Sequence, residues 1–159
     1  MGVTEVSNVL WREREQLELL LFKLDEEQMV LTSGRSRWLA HATREVEIVL
    51  GQIRETEVLR AVEVDAYAES VGLGPSPSLR DLSLASPEPW RELLLAHRDA
   101  LVELTTEIAR ASSDNRTVLA TAQRAAHETL LSLSGSLETY APTGRTSSPA
   151  PAHLFDKAL

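Results

Sequence analysis

The chain has 159 residues, enough for one domain with a sizeable core. Its 24 Asp and Glu outnumber its 16 Lys and Arg, and a net charge of −8 argues against a nucleic-acid surface, which needs clustered cations. With no cysteine there is no disulfide or thiolate site, and no apolar run is long enough to span a bilayer.

Aromatic residues make up only 4% of the chain, and Leu, Ala, Glu and Arg dominate, a composition that favours helix over sheet. The N-terminal residues lack the basic-then-apolar pattern of a signal segment, so a cytoplasmic protein is expected. The first helix is predicted over residues 4–32, where Val6, Leu10, Leu17, Leu20, Leu24 and Leu31 repeat at heptad spacing with Glu13 and Glu27 in the gaps. Leu21 and Phe22 widen that stripe, as in a helix packed on more than one neighbour. Ser33-Gly34 ends it. A second helix follows over 35–71, with Leu39, Ala42, Val46, Val49, Ile53 and Thr56 stepping by three and four. So short a break predicts an antiparallel hairpin.

Residues 72–77 (Gly-Leu-Gly-Pro-Ser-Pro) form a loop, and Ser78-Leu-Arg-Asp81 opens a short helix closed by Ser86-Pro87. Ser86 is the expected N-cap of the third long helix, with Pro87 in its first turn, and this helix is carried to about Leu133. Its apolar phase runs through Leu101, Leu104, Ile108, Ala111, Asn115, Val118, Ala122, Ala125 and Thr129. Ser112-Ser113-Asp114-Asn115 favours caps and turns, so a kink is expected there. Asn115 is either a buried amide that sets helix register or a solvent-facing residue at that kink. Beyond Gly135 the periodicity is lost, and Pro142, Pro149 and Pro151 among Ser and Thr predict disorder. The expectation is therefore an all-α fold. It is an antiparallel bundle or hairpin of three long helices and one short connecting helix over 1–137, followed by a flexible Ser/Pro-rich tail over 138–159.

Helix length carries a functional consequence. At about 1.5 Å per residue the three long helices span roughly 40, 55 and 70 Å, so the first two do not cover all of the third. The uncovered part is the stretch 118–133, with Leu119, Ala126, Leu130, Leu131 and Leu133, an interaction or self-association surface. The alternative is a third helix that folds back at Ser112 into a compact four-helix bundle.

The chemistry of an enzyme is not found. None of His41, His97, His127 and His153 stands in a Glu-x-x-His pair, no phosphate loop or nucleophile elbow is present, and no metal or other cofactor is expected. His97, in core phase, reads as a satisfied buried or boundary histidine. Trp11, Trp38 and Trp90 read as anchors near helix ends, and Tyr140 as either incidental or a docking anchor.

On these residues the chain resembles the FlgN family of flagellar type III export chaperones over about residues 8–144. The resemblance rests on Leu10-Trp-Arg-Glu-Arg-Glu15 with the leucine-rich run after it, and on Gly34-Arg-Ser-Arg-Trp38-Leu39. It rests also on Asn115-x-x-Val118-Leu119 and on Tyr140-x-x-x-Gly144, and the order and spacing of the four together make it specific. It implies a chaperone that holds the C-terminal amphipathic segments of hook-associated proteins and brings them to the export gate. The client face would then be Val118, Leu119, Ala122, Ala126, Leu130 and Leu133. Tyr140 matches the family tyrosine that docks onto the gate's cytoplasmic domain, with Pro142 inside that motif as a departure. The competing reading is a helical scaffold in which the same stripe pairs two copies as a homodimer.

Overall fold

The computed structural model describes residues 2–140, with side chains as far as Ser136. Its elements are α1 (Val3–Thr32), a single 3-10 turn (Ser36–Trp38), α2 (Leu39–Ser70), α3 (Leu79–Leu84) and α4 (Trp90–Tyr140). The described residues contain no strand, as an all-α fold requires. The chain divides into two compact units, Met1–Thr121 and Ala122–Leu159.

Within the first unit the predicted apolar stripes are the core. Val6, Leu10, Leu17, Leu20 and Leu24 of α1 pack with Val46, Val49, Ile53, Val64 and Tyr67 of α2 and with Leu82, Leu94 and Leu101. Burying each such leucine contributes roughly 1.5–3 kcal/mol. Gly34, at φ +71°, takes the left-handed conformation that turns α1 into α2, and Gly72, at φ +78°, does the same after α2. The hairpin is antiparallel: Lys23 meets Glu45 at 3.0 Å and Thr43 donates to Glu27 at 3.1 Å. Farther from the turn, Arg60 meets Glu13 at 2.9 Å. Ser78 caps α3, its hydroxyl accepting from the Asp81 N–H at 3.1 Å.

Several expectations are corrected. Ser86 does not cap α4, which begins at Trp90. Ser86 is instead buried, its hydroxyl donating to the Leu82 carbonyl at 2.7 Å and lying 2.9 Å from the Tyr67 hydroxyl, which therefore donates to it. In the first turn of α4 the Glu88 carboxylate accepts from the Glu92 N–H at 3.4 Å, while the Arg91 and Leu93 N–H groups donate to the Pro87 and Pro89 carbonyls. Phe22 does not widen the packed face of α1 but is exposed, and Trp11 stands well inside α1 rather than at an end.

The largest departure concerns α4. It is one helix of 51 residues, roughly 77 Å long, and passes unbroken through Ser112–Asn115 and through Gly135. The fold-back at Ser112 therefore does not occur. Gly135 is not a stop because it keeps negative φ, unlike Gly34 and Gly72; a helical glycine costs about 1 kcal/mol but ends nothing by itself. Thus α4 extends past Leu133, the sequence-drawn limit at 137 falls inside it, and Tyr140 is its last residue instead of following it. The predicted tail beyond Tyr140, including Pro142 and the patch His153–Leu159, lies outside the described residues.

Candidate functional site

The geometry of α4 is set first in the unit Met1–Thr121, where its N-terminal part runs parallel to α1. Near the start, the His97 ring nitrogens lie 3.3 Å from the Ser7 hydroxyl and 3.4 Å from Arg14 Nη1, with the Trp11 ring edge-on at 4.9 Å. Near the end, Asn115 Nδ2 donates to the Leu24 carbonyl at 2.8 Å and to the Glu27 carboxylate at 3.1 Å. Both sets of contacts give nearly the same offset along the two helices. Continued to Thr32, where α1 ends, this register arrives at about residue 121 of α4, one residue per 1.5 Å on each helix.

The polar contacts sit inside an otherwise apolar seam, and each has a chemical reason. Arg14 is always a donor, so His97 Nδ1 must accept and Nε2–H donates to Ser7; the ring is neutral. Burial pushes the His97 pKa down to about 4, and the Arg14 cation beside it acts in the same direction. Glu13, at a core position of the α1 stripe, is raised above the usual carboxylate range by burial, against the pull of Arg60, whose Nη1 lies 2.9 Å from both of its oxygens. Asn115 is buried, with its Oδ1 left without a partner. A buried amide only partly satisfied is a poor source of stability, and it penalises any register that strands both ends of the group.

The sequence singled out His97 and Asn115 but not what they touch. The Glu13–Arg60 pair was missed, although a carboxylate in the phase of Val6, Leu10, Leu17 and Leu20 is a usable signal: a charge at a core position demands a partner.

The candidate residues themselves lie along α4. Val118 and Leu119 are half-buried. In the second unit Ala122, Ala126, Leu130 and Leu133 share a face, all within about 40° of one direction by helical spacing. Leu131 points to the other side. Leu130 is 63% and Leu133 57% exposed, and every residue from 120 to 136 is exposed. Asn115 stands apart from this group as a buried seam residue, and Tyr140 ends the helix two turns past Leu133. Among the described residues no three His, Asp or Glu side chains stand together as a metal would need, and no helix is long and apolar enough to cross a membrane.

The arrangement is therefore a helix face available for contact with another chain. The chain matches the family model described as FlgN protein over residues 1–148. No curated protein and no solved structure matches it. A match over that span, on an all-α chain whose longest helix ends in an uncovered apolar face, makes this protein a member of the FlgN family, whose general role is that of flagellar export chaperones.

Proposed function

We propose that this protein holds the C-terminal amphipathic segments of hook-associated proteins on Val118, Leu119, Ala122, Ala126, Leu130 and Leu133. In this reading it keeps them from assembling early and brings them to the export gate in the cytoplasm, with Tyr140 docking onto the gate's cytoplasmic domain. The observation that carries the reading is the exposure of Ala122, Ala126, Leu130 and Leu133 on one face of a helix. A client helix laid along that face with anchors at three- and four-residue spacing is helix-in-groove recognition. Ordering a client segment on binding offsets part of the contact energy, which leaves affinity moderate and release easy.

The test is a titration with the C-terminal segments of the hook-associated proteins of the same genome. One-to-one saturation at micromolar affinity or tighter, lost in Leu130→Asp with helical content intact, is the expected result. Unchanged affinity in that variant overturns the face. Tyr140→Ala should leave client binding normal and weaken gate docking; loss of both would join two roles held here to be separate. Light scattering across a concentration series distinguishes the scaffold reading, in which a dimer persists on dilution.

A further inference from the structure

The side of α2 turned away from the core carries an apolar stripe that the helical contacts of the first unit leave open. Ile48, Val58, Leu59 and Val62 are 55%, 66%, 46% and 58% exposed. By helical spacing they lie within about 55° of one direction, opposite the buried Val46, Val49 and Ile53. Gly51 lies in the same stripe, and a Cβ built there meets nothing within 4 Å, so another backbone can approach closely. Four large exposed side chains over four turns exceed the scattered single hydrophobics of an ordinary surface.

Glu55 stands in the middle of this stripe, one heptad after Ile48 and one heptad before Val62, and among the described residues it makes no ion pair or hydrogen bond. Glu69, on the same side in the last turn of α2, likewise makes none among the described residues, and the negative end of the helix adds to it; Arg44 lies on that side one turn before Ile48, so the acidic part of the stripe is its centre and C-terminal end. This charge selects the occupant. A second copy packed symmetrically about the stripe would bring two Glu55 carboxylates together in an apolar contact, where neither has a cation. A helix with Lys or Arg between two apolar anchors meets the stripe with opposite charge at its centre.

We propose that the outer face of α2, from Ile48 through Glu55 to Val62, docks a basic amphipathic helix of a partner protein, with an apolar residue seven positions before and seven after a central Lys or Arg. The face is on a different helix from the client residues proposed above, and does not depend on them. It gives the chaperone a second protein contact, on a helix other than α4.

The probe is a 21-residue synthetic helix with leucines at three- and four-residue spacing and lysine at its centre, titrated by calorimetry into the full chain. Controls are a scrambled peptide of the same composition and a peptide with glutamate at the centre. Saturable one-to-one binding of the lysine peptide alone is expected, weakened about tenfold by Val62→Glu or Val58→Glu, the loss of roughly one buried aliphatic contact. Glu55→Lys should weaken the lysine peptide and gain affinity for the glutamate peptide. Circular dichroism checks that each variant is folded, and the three substitutions are independent of one another.

Equal binding of the scrambled peptide overturns the proposal, as does a failure to saturate or affinity unchanged in all three variants. Binding lost in Leu130→Asp and kept in Val62→Glu moves the contact to α4 and overturns it too. So does a dimer of the free protein, by sedimentation, that Val62→Glu dissociates, since a second copy then occupies the face.

Discussion

Two stretches of one helix differ in a way their sequences do not show. From Leu94 to Asn115, α4 turns Leu94, His97 and Leu101 into the core and ends in a buried amide tied to α1. From residue 120 to 136 the same face carries Ala122, Ala126, Leu130 and Leu133, and every residue is exposed. The three-four spacing is alike in the two stretches. Periodicity therefore says which face of a helix seeks cover, and not whether the chain supplies that cover. In the first stretch α1 supplies it, in parallel register, until Thr32. On the reading proposed above, the second stretch is the face that a client segment covers.

The contrast can be tested most strongly by cutting back one leucine in each stretch. Leu94→Ala should lower unfolding free energy by about 3 kcal/mol, because it opens a cavity in a packed core. Leu130→Ala should stay within about 0.5 kcal/mol of the parent, since its side chain is already in solvent. Urea denaturation of the two variants measures both. An equal loss at Leu130 would mean that its face is covered after all.

A second comparison uses pH. Folded His97 holds its proton less readily than an unfolded histidine, about 4 against 6.5. The folded state thus binds fewer protons, and stability rises with pH across that window. The contribution is complete above about pH 6.5 and is lost as pH falls toward 4. It amounts to about 3 kcal/mol at full extent. His97→Gln should flatten the stability profile between those values, whatever it does to the stability at pH 7.

The seam amide should matter less than Leu94 or His97. Asn115→Ala removes donors to the Leu24 carbonyl and to Glu27, and should cost about 1 kcal/mol in a thermal melt. A loss several times larger would make Asn115 a main support of the pairing between α1 and α4. A gain would show that the amide serves register at the expense of stability, as its unpartnered Oδ1 suggests.

What the sequence determined by itself is local. The heptad of α1, the three-four stepping of α2 and α4, the turns at Gly34 and Gly72 and the cap at Ser78 were all legible, because contacts three and four residues apart and a left-handed glycine are written in neighbouring residues. So was the face that holds Leu130 and Leu133. The resemblance to the family was legible too, on short motifs whose order survives without any knowledge of packing.

Tertiary structure decided everything that depends on which helix lies opposite which. Glu13 finds Arg60 across 47 residues, and Asn115 finds Leu24 across 91, and no local pattern specifies either pairing. The same is true of Ser86, whose local setting reads as a cap while its hydroxyl is taken up by Tyr67 and Leu82. Phe22 fits an apolar stripe yet faces water, because α1 has its neighbours on the other side. The exposure of residues 120–136 is of the same kind, since their three-four stepping continues that of the stretch that is buried.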